Sequence, residues 1–366
     1  MSTVRANNYY DASGGSNAQL FGVASPPNSM GFRNRIINGG MVIDQRNAGA
    51  SVSVNTGANF YAVDRFNCTG EATDGVFSIQ RSTTAPAGFV NSIIATVTTA
   101  DASIGSTQRY ILQQRIEGFN VADFGWGTAS AQSVTLSFWV RSSVTGTFGG
   151  SFRNAAGDRS YPFTYTISAA NTFEYKTITV AGDTTGTWAT DNTAGIFVTW
   201  SLGAGSSLKT TAGAWTSGSY WAGTGSVDLI STLNATFYIT GVQLEAGTNA
   251  SAFERRPYGT ELGLCQRYYQ AIKAINGTSG GTTTKVFSNI QYSEMRATPT
   301  YAVTGALAFT DPGTASYTQS AGNVAVAGGS TSSGVFLEFG NLTGLPNNRF
   351  ILLNTMSTFL TLSSEL

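Results

Sequence analysis

Short alternating runs of apolar and polar residues, each ended by a cluster of Gly, Asn, Ser or Asp, constrain this chain most strongly. The clearest is Ser133–Val140 (SVTLSFWV), in which Val134, Leu136, Phe138 and Val140 share one parity. Because successive side chains of a strand point to opposite faces, that run predicts a strand with one buried face. Trp139 has the opposite parity, so it lies under a loop or on the surface. Arg109–Ile116 behaves alike, with Tyr110, Leu112 and Ile116 on one side. Further strands are predicted at Ile93–Thr98, Thr145–Phe152, Phe163–Ile167, Tyr175–Val180, Ile196–Leu202, Ser226–Ile230 and Phe237–Leu244. The turn clusters Asn154–Asp158, Ala181–Gly186 and Gly203–Ser207 separate them. Strands at this spacing imply an all-β fold, an antiparallel β-sandwich of two sheets.

Composition agrees. Charged residues make up 11% of the 366 residues and 43 residues are Gly, against typical values of about 25% and about 7%. Aromatics at 12% supply enough apolar surface to exclude a disordered chain. Lys+Arg 20 balances Asp+Glu 20, and no cation cluster is present to neutralise phosphates, which excludes nucleic-acid binding. No run approaches the roughly 20 apolar residues of a membrane span, and the N-terminus lacks the apolar core of a secretory signal. No membrane insertion is expected.

The count of His is 0, which removes Ser-His-Asp triads, Cys-His pairs and histidine metal sites. Carboxylate chemistry remains, and Glu117, Asp123, Asp158 and Glu174 lie mid-chain, but no spacing marks any two as a glycosidase pair. No EF-hand spacing occurs, so neither a metal nor another cofactor is expected. Cys68 and Cys265 leave two buried thiols and a single bridge both open.

The stretch Phe237–Tyr269 separates two β-rich regions. Its first part alternates as a strand, AGTNASAF reads as a loop, and Pro257 can open a short helix because its fixed φ suits a first turn. After it come predicted strands at Lys285–Tyr292, Thr300–Val303, Val324–Val326, Gly334–Phe339 and Arg349–Leu353, with a loop at Gly328–Gly334. Before it, Ile36, Ile37, Met41, Val42 and Ile43 flank Asn38-Gly39-Gly40, a hairpin signal. Residues 1–33 are polar and rich in Gly, Ser and Asn, with Tyr9, Tyr10, Leu20 and Phe21 as the residues able to grip a partner.

The phrase GVQLEAG…FERRPYGTELGLCQRYY resembles the end of a β-module found in tailed-phage fibres and related virion proteins. NRIINGGMVIDQR, with FYAVDRF, resembles its entry, and MRATPT resembles a phrase of small C-terminal fibre domains. The resemblance implies a jelly-roll-like sandwich at 35–255, a helical connector at 256–268 and a smaller C-terminal β-domain at 269–366. An extended attachment arm would occupy 1–34. It further implies a homotrimer, with other virion structural proteins as partners of the arm. The expected function is a structural virion protein, a short tail fibre taking part in host attachment, made in the bacterial cytoplasm. A capsid decoration or head fibre, and a glycan-degrading tailspike enzyme, are the alternatives. For a host surface glycan, Trp215, Tyr220 and Trp221 in a Gly/Ser-rich setting are the candidate contacts, since sugars pair an aromatic face with polar groups. The competing reading packs these rings at the sandwich edge or between subunits.

Overall fold

In the computed structural model, the described residues are 19–20, 23–24, 32–70, 74–272, 276–281, 283–303, 307–310, 316–319, 324–345, 347–353 and 360–366. Two antiparallel sheets face each other. The strands are β1 (Val52–Val54), β2 (Gly57–Val63), β3 (Phe66–Gly70), β4 (Val76–Ser82), β5 (Ser92–Thr99) and β6 (Arg109–Glu117). They continue as β7 (Val134–Ser142), β8 (Gly146–Arg153), β9 (Arg159–Ile167), β10 (Glu174–Val180), β11 (Ala194–Ala204) and β12 (Thr236–Ala246). One sheet has the order β10-β7-β12-β5-β4-β1; the other runs from a short strand at Thr216–Ser217 through β9-β8-β11-β6-β3-β2. This is a jelly-roll-like β-sandwich.

The parity read from β7 holds: Val134, Leu136, Phe138 and Val140 are fully buried. Phe138 meets Trp200 of the opposite sheet edge-to-face, with centroids 5.6 Å apart, a favoured ring geometry. Trp139 lies on the outer face, half-buried against Tyr175.

Helix α1 (Tyr258–Gln266) follows Pro257, and the chain enters a second set of strands. These are β13 (Tyr269–Ile272), β14 (Asn276–Thr278), β15 (Val286–Gln291), β16 (Thr300–Val303), β17 (Leu307–Thr310), β18 (Ser316–Gln319), β19 (Val324–Ser330), β20 (Gly334–Phe339), β21 (Phe350–Leu353) and β22 (Leu360–Ser363). They form the sheets β13-β22-β16 and β18-β17-β21-β14-β15-β20-β19. This region has its own core around Val286, Phe309, Leu337, Phe339, Ile351 and Leu362. A small third cluster of Ile37, Ile43, Cys265 and Tyr268 sits at the joint with the sandwich.

Three local expectations need correction. Asn38-Gly39-Gly40 makes no hairpin: Asn38 adopts φ 61°, and its Oδ1 accepts from the Val42 and Ile43 amides, both at 2.9 Å. Those donors are thereby withdrawn from a ladder. Ser226–Ile230 is not a strand, because Asp228 accepts the Ala204 amide at 3.1 Å and its carbonyl accepts Ser231 N, which closes a 3-10 turn at Leu229–Ser231. The expected loop at Gly328–Gly334 is shorter: β19 runs to Ser330, and Thr331 Oγ1 accepts the Ser333 and Gly334 amides to make the turn. Of the arm residues, Tyr9, Tyr10 and Phe21 lie outside the described residues. Leu20 belongs to a two-residue strand, Gln19–Leu20, paired with Val23–Ala24.

Candidate functional site

The two phrases that bracket the sandwich meet in space. Asn34 Nδ2 donates to Val242 O at 3.0 Å, while its Oδ1 accepts from Leu244 N at 3.1 Å and Ile36 N at 2.9 Å. The Glu254 carboxylate accepts the Arg33 and Asn34 amides at 3.0 and 2.9 Å. Arg256 donates to the carbonyls of Asn34 and Ile36, and Glu261 accepts the Asn38 amide. Almost every polar residue of FERRPYGTE that faces inward is consumed in this latch, which joins the entry of the module to its exit. Gly39 sits at its centre: Val242 N donates to Gly39 O at 3.0 Å, and a Cβ on Gly39 would stand 2.1 Å from Val242 O. Gly39→Ala is therefore expected to lower stability by about 3 kcal/mol, since backbone cannot yield as a side chain can. Urea denaturation measures it.

A second polar network ties the sandwich to the C-terminal strands. Buried Glu117 accepts from Arg267 Nε at 2.9 Å, again from the other arm of that guanidinium, and from Tyr268 OH at 2.6 Å. Arg65 lies 3.5 Å over the Tyr268 ring and pairs with Glu365. Arg46 pairs with the same Glu365 at 2.8 Å, and its guanidinium is held between Tyr61 and Tyr269 at 4.1 and 3.7 Å. A cleft of about 610 Å³ opens here, lined in part by Arg46, Asn47, Tyr61, Arg296, Thr300 and Glu365. Its walls are already bonded: Arg296 donates to Asn192 O and Ser364 O, Asn47 to Tyr61 O and Thr300 to Ser363 O. The cleft is a seam with few free polar groups.

Beside it, burial pushes the Asp64 carboxyl up to about 6 from 3.8, against the opposing pull of Arg46. Between roughly pH 6 and pH 4 the folded chain takes up a proton there that the unfolded chain does not, so Asp64 stabilises the fold as pH falls through that window. The full contribution is about 3 kcal/mol. Melting temperature followed against pH should show this slope in the parent chain and lose it in Asp64→Asn.

The candidate glycan contacts are not gathered into one platform. Trp221 is 6% exposed, with the guanidinium groups of Arg153 and Arg109 at 3.3 and 4.3 Å from its ring. It therefore offers no open face. Trp215 is half-buried at the sandwich rim, where it packs edge-to-face on Trp126, Trp188 and Tyr161 with centroids 5.2, 5.3 and 5.4 Å away. Its indole N–H donates to Ala181 O at 2.7 Å, as that of Trp188 does to Thr185 O and that of Trp126 to Gln132 O. This cluster fastens the turns at that end. Tyr220 is half-buried beside Gly218. Trp126, which no pattern singles out, is the ring the cluster is built around.

The mid-chain carboxylates are dispersed and locally engaged. Asp123 pairs with Arg35, Asp158 accepts from Asn154, and Glu174 accepts the Ser168 and Ala169 amides beside Lys176. Cys68 and Cys265 are both free and buried, and burial pushes both thiols up, away from the reactive thiolate.

The fold is thus an antiparallel jelly-roll-like sandwich joined to a second β-rich unit. Among solved structures, it is similar to the enzymatically active domain of tailspike protein 4 of bacteriophage CBA120, at 13% identity and TM-score 0.31, over 58% of this chain and 21% of that one. It is also similar to a family 11 carbohydrate-binding module of Clostridium thermocellum in complex with a β-1,3-1,4-mixed-linked tetrasaccharide, at 12% identity and TM-score 0.27, over 57% of this chain and 100% of that one. The chain spans about a fifth of the tailspike chain's length, and similarity at this level assigns no function. No family model and no curated protein matches the sequence. No helix among the described residues is long and apolar enough to cross a membrane.

Proposed function

We propose that this chain is a non-enzymatic structural protein of a tailed-phage virion. It would be a short homotrimeric tail fibre that takes part in attachment to the host surface, docked to other virion proteins through residues 1–34. The observation that carries the reading is the latch. The two phrases resembling the entry and exit of a virion β-module close on each other through Asn34, Glu254, Arg256 and Glu261. The exit phrase then continues directly into the Glu117–Arg267–Tyr268 joint. Buried ionic and hydrogen-bonded contacts of this kind hold two β-units in fixed register, which a receptor-facing element needs. The absence of His, together with mid-chain carboxylates engaged in local contacts, supports a structural rather than a catalytic role.

A chain lacking residues 1–31, which leaves Arg33 and Asn34 of the latch in place, is expected to keep its trimeric mass by light scattering and to be missing from purified particles. Incorporation at the full-length level would sink the proposal.

A further inference from the structure

The outer face of the six-stranded sheet carries aromatic rings around a single cation, and it meets solvent. The register sets Tyr175 of β10 beside Trp139 of β7, and Arg141 of β7 beside Tyr238 of β12. Side chains two residues apart on a strand share a face, so Trp139 and Arg141 stand on one side, about 6.7 Å apart along the strand. Phe173, just before β10, meets Tyr238 edge-to-face with centroids 6.1 Å apart. Trp139 and Tyr175 lie 5.4 Å apart. Gly241, in the β12 bulge, leaves room for the indole, since a Cβ there would stand 3.0 Å from Trp139 Cδ1.

This part of the face is accessible. Tyr175 is 43% exposed, and Trp139, Arg141, Phe173 and Tyr238 are half-buried. The loop that follows β12 covers the other end of the face. There Thr135 donates to Gly247 O, Thr179 to Thr248 O and Gln243 to Ser251 Oγ.

Arg141 differs from the arginines of the latch and the joint. Arg46 and Arg65 pair with Glu365, Arg256 with Glu254 and Glu261, and Arg267 with Glu117. Arg141 makes neither a hydrogen bond nor an ion pair among the described residues. Its guanidinium lies 4.9 Å from the Tyr238 ring and 5.9 Å from that of Phe173. Its Nε is buried, while the two terminal nitrogens are not. The fork is thus presented to solvent, held by rings and without a counter-charge.

We propose that this face binds an acidic saccharide, a pyranose bearing a carboxylate. The apolar C–H face of the sugar lies on Tyr175 and Trp139, since ligand sites pair aromatic surface with a few placed polar groups. The carboxylate takes the Arg141 fork through paired hydrogen bonds. One strand repeat separates indole and cation, within reach of a carboxylate on the ring that the indole holds. A bare anion gains nothing from the rings, and a neutral sugar leaves Arg141 unpaired. The site lies within the sandwich alone and goes beyond the attachment reading, standing with or without it.

The test is titration calorimetry of the full chain with glucuronate, galacturonate and N-acetylneuraminate, against glucose, galactose and acetate. At least one acidic sugar is expected to bind about tenfold or more tightly than the neutral sugars and acetate. Tyr175→Ala is expected to weaken that binding about fivefold at an unchanged mass by light scattering. Arg141→Gln is expected to bring it down to the level of the neutral sugars. Should Arg141→Gln fail to fold, Arg141→Lys keeps the charge without the fork and is expected to bind about tenfold more weakly. No binding by any of the three acidic sugars, or binding unaltered in both Tyr175→Ala and the Arg141 variant that folds, would overturn the site. A fall in mass in Tyr175→Ala would make the face a contact between copies of the chain and would overturn it equally. Acetate binding as tight as the best acidic sugar would overturn the saccharide assignment.

Discussion

Alanine at Asn38 is expected to destabilise the chain by about 4 kcal/mol. The Asn38 side chain accepts the Val42 and Ile43 amides and donates to the carbonyls of Ile43 and Asp64, at 2.8 and 2.9 Å. All of this happens at a residue that is fully buried. Removing the amide leaves two donors and two acceptors dry, and each such loss costs about 1–3 kcal/mol before relaxation. A separate cost of about 1 kcal/mol comes from placing a Cβ without a polar side chain at φ 61°. Asn38→Gly removes that second cost alone and is expected to be about 1 kcal/mol milder than the alanine variant. Urea midpoints of the two variants separate the contributions. A loss under about 1 kcal/mol in Asn38→Ala would show that water or a rearranged turn replaces the bonds.

Glu117→Ala is expected to cost about 3–5 kcal/mol, because it strands Arg267 and the Tyr268 hydroxyl at the joint. The Glu117 side chain is 1% exposed and that of Arg267 34%, so part of the Arg267 charge can turn to water, while Tyr268, itself fully buried, cannot. Hydrogen bonding to Glu117 is also the largest influence raising the Arg267 guanidinium. Calorimetry is expected to show one coupled transition in the parent chain. In the variant, the C-terminal strands should melt earlier and apart from the sandwich. Glu117→Gln keeps the shape and one acceptor, and should fall between the two. An unchanged single transition in Glu117→Ala would mean that the Arg46–Glu365–Arg65 contacts alone hold the units together.

Strands with one dry face were legible from sequence. β7 and β11 follow from their alternation, because the parity that is apolar is the parity that meets the opposite sheet. β12 is apolar enough to read as a strand, but a bulge between Thr240 and Gln243 moves its buried parity from Phe237 and Ile239 to Val242 and Leu244. β4 (Val76–Ser82) escapes the same reading, since Gln80, Arg81 and Ser82 interrupt its apolar pattern near a sheet edge. The Asn-Gly-Gly signal correctly marks a positive φ at Asn38, but a left-handed residue serves an irregular anchor as well as a hairpin. The outer face of β6 was not legible. Alternation assigns Ile111, Gln113 and Arg115 to solvent, and nothing in their own strand reveals that Trp221 and the Leu366 main chain come to lie over that side. Trp221 settles a choice its sequence leaves open: among Gly and Ser the ring can face a ligand or pack at the sandwich edge, and Arg153 and Arg109, distant in sequence, close over it. Charged residues of the exit phrase were recognisable as a signature, while their partners at Asn34, Ile36 and Asn38 could be found only once the chain was folded.

Electron microscopy of intact particles labelled with an antibody against residues 269–366 tests most directly the proposed place of this chain at the tail of a virion. Label is expected to concentrate at the tail. Label spread over the head would place the chain among capsid decorations, and particles without label would contradict the virion reading altogether.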